Sequence, residues 1–155
     1  MLKYLSPVAL IFSIACAHVT IPGTEVPDNE ENRAILNVLA DARTAMIKRD
    51  ADALLSVVST QYFETMGTPD DSDDYGYQEF KSDILPKTME ATQEMSLDFR
   101  VLEIQIEGQL AHADIRYKSR AHVVLPSGSS WNSNKEFSRI HLANESGKWR
   151  IISGL

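Results

Sequence analysis

Two carboxylates in the second half of the chain have surroundings suited to acid–base chemistry. Each follows an apolar residue, Asp98 after Leu97 and Asp114 after Ala113. A carboxyl group enclosed by apolar side chains has a displaced pKa and can exchange protons near neutral pH. Both residues also alternate with apolar neighbours, and alternation on a strand turns them away from the apolar side. We therefore predict that both carboxylates face solvent, and the sequence identifies no catalytic residue.

Metal-binding and nucleophilic patterns are the next kinds of chemistry to consider. No two of the four histidines stand three or four residues apart, so no helical ligand pair such as HExxH exists. The acidic loop over residues 69–76 places Asp71 and Asp73 at EF-hand spacing, but further carboxylates that calcium needs are missing. No G-x-S-x-G elbow is present either. The sequence predicts no metal site and no cofactor.

Arg116, Lys118 and Arg120 recur at two-residue steps. On a strand such residues project from one face, so the three cations could form a stripe that binds an anion. A lipid headgroup or a cell-wall polymer would supply such an anion. The alternative is that the row, which includes Asp114, is the solvated face of a half-exposed strand. The sequence leaves both interpretations open.

Large aromatic side chains could line a pocket. Tyr62, Tyr117 and Trp131 are the candidate pocket residues, because such rings combine a large apolar area with one polar group. A buried phenol needs a hydrogen-bond partner, and a pocket can supply one. The alternative is that all three are ordinary core residues.

The first residues have the features of an export signal. Lys3 precedes a broken apolar stretch over residues 5–14. That stretch is too short for a membrane-spanning helix, which needs about 20 apolar residues, and no later segment is long or apolar enough. We therefore predict an exported protein with a signal peptide over residues 1–16.

Cys16 is the single cysteine, so it cannot form an intramolecular disulfide. It follows Ala15 in a stretch that resembles a lipobox, in which the cysteine is lipidated after cleavage. Ser13 departs from that pattern, where Leu, Val or Ile is usual. We predict a lipoprotein anchored through Cys16 to a membrane of the cell envelope. The alternative is ordinary cleavage after Ala17, which would release a soluble periplasmic or secreted protein.

The composition suits one globular domain. The chain has 155 residues, of which 43% are hydrophobic, and a formal net charge of -7. An acidic balance argues against nucleic-acid binding, because phosphates are neutralised by Lys and Arg. We divide the chain into the signal peptide, a flexible tether over residues 17–29 and one domain over residues 30–155.

Hydrophobic periodicity predicts helices first and strands later, which is an α+β fold. Within one strand the apolar positions change parity between Val101 and Leu102, as a β-bulge produces. The predicted elements are a helix from Asp28 or Asn29 to Lys48–Arg49, a second short helix capped by Asp50, a strand over 61–66, a helix over 77–91 kinked at Pro86, and strands over 95–107, 110–125, 131–143 and 148–153.

Two short stretches carry a family resemblance. Residues 48–54 read Lys-Arg-Asp-Ala-Asp-Ala-Leu after the first helix, and residues 147–153 contain a closing Gly-x-Trp-x-Ile pattern. The order of elements and these stretches resemble the nuclear transport factor 2-like, or cystatin-like cone, superfamily, which includes SnoaL-like cyclases, ketosteroid isomerase and uncharacterised exported lipoproteins. The resemblance implies a cone-shaped α+β barrel, in which N-terminal helices pack on a curved antiparallel sheet around a pocket. It transfers no catalytic residue to this chain.

Three functions fit these observations. The first is a non-enzymatic, envelope-anchored domain that binds a small apolar ligand or a protein partner. The second is a cofactor-free isomerase, cyclase or dehydratase, and the third is a module that forms a homodimer through its open sheet face. An inward carboxylate or histidine in a cavity of roughly 300–1,000 Å³ would favour the enzyme.

Overall fold

The computed structural model describes residues 19–155. The predicted signal peptide and Cys16 lie outside the described residues. Among the helices of the described part, none is long and apolar enough to cross a membrane.

The first helix, α1, spans Glu30–Lys48, and its ends follow from local chemistry. The side chain of Asn29 accepts a hydrogen bond from the backbone N–H of Asn32 at 2.8 Å, which settles the predicted choice of cap. At the other end Arg49 adopts a left-handed conformation with φ of 55° and stops the helix. One apolar stripe of α1 is buried and consists of Ile35, Leu39, Ala42 and Ala45.

Three shorter helices follow. Asp50 caps α2, which spans Ala51–Leu55, by accepting the backbone N–H of Ala53 at 2.9 Å. The region predicted as one kinked helix is α3 over Tyr77–Glu79, a π-helical turn over Phe80–Ile84 and α4 over Leu85–Ala91. Pro86 lies in the first turn of α4, directly after the π-helical turn. The regular α-helical bonding is thus interrupted next to the residue at which the kink was predicted.

Two very short strands, β1 over Phe63–Glu64 and β2 over Tyr75–Gly76, pair with each other. The main sheet is antiparallel in the order β3-β4-β5-β6. Its strands are β3 over Thr92–Glu107, β4 over Leu110–Leu125, β5 over Gly128–Glu145 and β6 over Lys148–Ser153. The predicted α+β class is confirmed, but the curved sheet is open and does not close into a barrel.

The predicted β-bulge is present in β3. The register against β4 shifts between Val101 and Glu103, so Leu102 is the extra residue. Because of this shift, Val101 and Ile104 both lie on the face that packs against the helices. We call this the inner face and the opposite side the outer face.

Two arginines connect the helical layer to β3, which is an edge strand. Arg43 donates its Nε–H to the carbonyl of Leu97 at 2.6 Å. Arg49 donates from Nη1 to the carbonyl of Thr92 at 2.8 Å. At the other edge, β6 is bridged by residues 57–59, where the backbone N–H of Ser59 bonds the carbonyl of Ile151 at 2.8 Å.

Residues 19–28, which the sequence assigns to the tether, form a turn against the body of the domain. A backbone bridge joins Thr20 to Pro27. Val26 is 0% exposed and belongs to the core cluster. Burial of this one apolar side chain gives the segment a fixed place that its Pro- and Gly-containing composition did not predict.

Candidate functional site

A groove of about 640 Å³ lies between α1 and the inner face of strands β3 to β5. Arg43 and Ile47 border it from α1. Leu97, Ser119 and Asn134 border it from the sheet, and the register places these three side by side in one row across β3, β4 and β5. The groove therefore depends on three strands meeting in register opposite one turn of a helix.

The wall of the groove combines apolar and polar groups. Ile47, Met95 and Leu97 supply the apolar part, and Arg43, Ser119 and Asn134 supply hydrogen-bonding groups. Six further residues of these strands border the groove. Because successive side chains of a strand point to opposite faces, the side chains of these six lie on the outer face. They are Ser96, Asp98, Lys118, Arg120, Ser133 and Lys135. Within the described chain, the inward wall thus has no carboxylate and no imidazole.

The next row on the inner face holds the nearest acid. Phe99, Tyr117 and Glu136 pair across the three strands. The hydroxyl of Tyr117 donates to a carboxylate oxygen of Glu136 over 3.4 Å. Partial burial and the negative charge of Glu136 both raise the pKa of Tyr117 above its ordinary value. This pair stands beside the groove rather than in its wall.

Tyr62, the first candidate pocket residue, lies in the core. It is 2% exposed, and its ring stacks on Phe80 with 4.8 Å between centroids. Its hydroxyl donates to Glu64 at 3.1 Å, and the same carboxylate oxygen accepts the backbone N–H of Gly154 at 2.7 Å. Burial, followed by the charge of Glu64, raises the pKa of Tyr62. The phenol thus helps to hold the last residues of the chain.

Trp131 lies on the outer face, where it stands opposite His122 in the sheet. It is 48% exposed and does not line the groove. The structure therefore does not bring Tyr62, Tyr117 and Trp131 together, and Tyr117 alone lies on the inner face beside the groove.

The three cations of the predicted anion stripe share the outer face and are exposed. They are Arg116, Lys118 and Arg120. Asp114 lies on the same face of β4 and is hydrogen-bonded by Arg139. The Nε and Nη2 atoms of Arg139 donate to the two carboxylate oxygens at 2.6 and 2.8 Å. This hydrogen bonding lowers the pKa of Asp114 below its ordinary value. Asp98 is exposed on the same face.

Residues 19–155 contain no group of three or more His, Cys, Asp or Glu side chains placed to hold a metal ion. His112 and His141 face each other across β4 and β5 with 6.1 Å between ring centroids. In the acidic loop, Asp70 accepts the backbone N–H of Ser72 at 3.0 Å, so this carboxylate caps a turn.

The groove residues were missed by the sequence reasoning. Arg43 lies beside the apolar stripe of α1, where a cation is unusual. Ser119 lies between Tyr117 and Ala121 on the inward-facing parity of β4, and Asn134 precedes the buried inward residues Ile140 and Leu142 of β5. A polar residue on an otherwise apolar parity was the available signal.

Comparison with known proteins gives a family match and several structures of similar fold. The family model described as a SnoaL-like domain matches residues 35–154. No curated protein matches the sequence. A conserved protein from Planctomyces limnophilus is 16% identical, with 80% of this chain and 92% of that chain covered and a TM-score of 0.66.

Two of the similar structures carry names that refer to enzymes. A ketosteroid isomerase-like protein from Erwinia carotovora is 13% identical, covering 82% of this chain and 95% of that chain with a TM-score of 0.66. A type 2 hexachlorocyclohexane dehydrochlorinase is also 13% identical, covering 80% and 82% with a TM-score of 0.66. At such identities the likeness shows the fold alone. The match to the SnoaL-like family model confirms the predicted resemblance to SnoaL-like domains.

Proposed function

Because the chain belongs to the SnoaL-like family, we propose that its groove binds a small, largely apolar ligand and does not catalyse a reaction on it. The observation behind this proposal is the inward wall, which offers apolar side chains and hydrogen-bond donors. Asp98 borders the groove but occupies an outer-face position, so no carboxylate or imidazole of the described chain faces the groove from the inner side. General acid–base catalysis needs such a group within hydrogen-bond reach of the reacting atom.

The size and lining of the groove suit a ligand with one polar end. Its volume of about 640 Å³ falls within the range of small-molecule sites, roughly 300–1,000 Å³. Ile47, Met95 and Leu97 would contact the apolar body. Arg43, Ser119 and Asn134 would orient a carbonyl, hydroxyl or anionic group. A small number of polar groups in a largely apolar wall is typical of sites that orient a ligand.

We also propose that the protein is exported and carries a lipid on Cys16. The support is the order of Lys3, the apolar stretch and Ala15 before the single cysteine. Intact-mass measurement of the mature protein tests this: an N-terminal Cys16 with the added mass of acyl chains is expected. A free chain that begins at His18 would contradict lipidation and leave export in place.

Ligand binding is tested with N-phenyl-1-naphthylamine, a neutral apolar dye that fluoresces when it leaves water. Ser119→Phe fills the groove from the inner face and should abolish the fluorescence increase. Ser133→Phe is the matched control, because it adds the same side chain to the outer face of the neighbouring strand. Equal dye binding by both variants and the parent protein would contradict the proposal.

An isomerase, cyclase or dehydratase is the second candidate, favoured by the pair of Tyr117 and Glu136 one row from the groove. A bound carbonyl compound that reached this row would meet a carboxylate base and a phenol. The test is conversion of a β,γ-unsaturated ketosteroid to its conjugated isomer, with Glu136→Gln as the variant. Activity that Glu136→Gln removes would establish the enzyme and contradict a purely binding role.

A further inference from the structure

We propose that the outer face of strands β3 to β5 docks on the surface of an anionic phospholipid membrane. Five cations lie there on neighbouring strands and define what we call the basic face: Arg100, Arg116, Lys118, Arg120 and Lys135. They gather on one surface of a chain whose net charge is -7. The basic face is therefore complementary to an anionic surface although the protein as a whole is acidic.

The arrangement of these cations points to an external anion. Arg100 stands directly opposite Arg116, and Lys118 stands directly opposite Lys135. Like charges in directly opposed positions destabilise a sheet. Glu25 pairs with Arg100 and Asp98 stands opposite Lys118, so part of this repulsion is offset within the chain. A surface of anionic headgroups would offset the remainder.

Carboxylates border the basic face along the edge strand β3. Glu94 and Asp98 share its outer face, and Asp98 stands directly opposite Lys118. Arg100 forms an ion pair with Glu25 at 3.0 Å. Among the ion pairs within residues 19–155, none involves the remaining four cations. Apart from Asp98 opposite Lys118, the cations of β4 and β5 in the basic face therefore have no carboxylate partner within the described residues.

Exposed aromatic rings lie between the cations. Phe137 is 71% and Trp131 48% exposed. The guanidinium carbon of Arg116 lies 5.2 Å from the ring centroid of Phe137, and that of Arg120 lies 4.2 Å from the ring centroid of Trp131. Tryptophan and other amphipathic rings favour the headgroup region of a bilayer, and basic residues beside them add attraction to anionic lipids.

Aliphatic side chains lie near the β4–β5 turn, beyond Trp131. Val124 is exposed on the outer face, and Leu125 is exposed one residue on, at a position of inner-face parity. A nucleic acid or an acidic glycan offers no apolar region for them, whereas the acyl boundary of a bilayer does. A second copy of the chain fits poorly, because a two-fold contact between identical faces would place cations against cations.

The N-terminal segment lies beside the same surface. Glu25 reaches Arg100 from the turn over residues 19–28. If Cys16 carries a lipid, a point that rests on the proposed function, Val19 would be at most about 11 Å of chain away from it. That distance is comparable with the screening length of roughly 8–10 Å at ordinary salt. The anchor would therefore hold the N-terminal segment near the headgroups, and Glu25 of that segment contacts Arg100 of the basic face.

The test is co-sedimentation of the full, unlipidated chain with vesicles. Vesicles of phosphatidylglycerol and phosphatidylcholine in equal parts are compared with vesicles of phosphatidylcholine alone, so apolar binding by residues 5–14 cancels. We expect stronger partition onto the anionic vesicles, and weaker partition as salt is raised. The combined variant Arg116→Gln, Lys118→Gln and Arg120→Gln should lower the anionic partition roughly 100-fold, at the usual contribution of each cation near a charged bilayer.

A matched variant keeps the net charge equal. Lys48→Gln, Lys81→Gln and Lys87→Gln remove three exposed cations from helices, away from the basic face. This variant should retain anionic partition within about threefold of the parent chain, since its cations lie outside the contact. An equal loss in both triple variants, or equal partition of the parent chain onto both kinds of vesicle, would overturn the proposal.

Two further measurements distinguish a membrane from a second copy of the chain as the partner of the basic face. Brominated phosphatidylcholine in anionic vesicles should quench the fluorescence of Trp131, and Trp131→Phe should remove that quenching because Trp149 is buried. Sedimentation equilibrium without lipid should give a monomer. A dimer that the basic-face variant dissociates would overturn membrane docking in favour of a self-association surface. None of these readouts needs a lipid on Cys16, so failure of the anchor would leave them unchanged.

Discussion

The Nε–H of Arg43 on α1 donates to the carbonyl of Leu97 on β3 at 2.6 Å, although 54 residues separate them in the chain. Both residues also border the groove. One contact thus fixes the distance between the two walls of the candidate site.

Replacement of this arginine should affect both stability and dye binding. We expect Arg43→Met to lower the free energy of unfolding by about 1 kcal/mol through loss of a charge-assisted hydrogen bond. It should also weaken binding of the naphthylamine dye several-fold. Arg49→Met is the matched control, because Arg49 bonds the carbonyl of Thr92 on the same strand but does not border the groove. It should reproduce the stability loss and leave dye binding unchanged, as measured by urea unfolding and fluorescence titration.

Tyr62 and Glu64 should be energetically coupled. Tyr62→Phe leaves a part-buried carboxylate with one donor fewer, which we expect to cost about 1–2 kcal/mol. Glu64→Gln should cost a similar amount, because it weakens the bonds to Tyr62 and Gly154. The double variant should be less destabilised than the sum of the two. Additive losses in a urea double-mutant cycle would show that the hydroxyl and the carboxylate act independently.

The ion pair of Asp114 and Arg139 should make stability depend on pH on the acid side. Its hydrogen bonds lower the pKa of Asp114 in the folded state below the ordinary value of 3.8. The contribution is therefore fully present above pH 3.8 and is lost as pH falls through the folded-state pKa. Since both side chains are partly exposed, we expect less than about 1 kcal/mol. Arg139→Gln should reduce the acid-side slope of unfolding free energy against pH, and an unchanged slope would contradict the assignment.

Gly154 should tolerate no side chain. It has a φ of +94°, and a Cβ there would lie 2.2 Å from the carbonyl oxygen of Arg139. Gly154→Ala should cost about 1–3 kcal/mol, or release the chain end from Glu64. Gly23→Ala is the comparison: its φ is +82°, but nothing lies within 4 Å of the added methyl group. If thermal unfolding shows equal losses, the strain lies in the backbone angle and not in the contact with Arg139.

The elements that the sequence predicted are those with local causes. Asn29 and Asp50 cap helices because the side chain of each accepts the backbone N–H three residues on. The parity change at Leu102 is visible in the sequence, since a strand that keeps one apolar face has to insert a residue where the parity shifts. The span of β4 also has a local cause, because apolar and polar residues alternate along most of Leu110–Leu125.

The groove depends on causes that are not local. Leu97, Ser119 and Asn134 become neighbours only when three strands adopt one register, and no short stretch of sequence specifies that register. The sequence also could not predict the face of the sheet on which Trp131 lies. Residues 130–137 are exposed and show no alternation of apolar and polar residues that would fix their parity. Val26 was assigned to a tether because one buried valine leaves no periodic signal.

The two arginines on β3 have one more consequence, which concerns solubility. A free strand edge presents unpaired carbonyl and N–H groups that another chain can extend, and this route leads to aggregation. Arg43 and Arg49 occupy two of those carbonyls, and residues 57–59 bridge the opposite edge at β6. Side-chain contacts thus occupy part of one sheet edge and backbone contacts part of the other, where a closed barrel would have no edge at all.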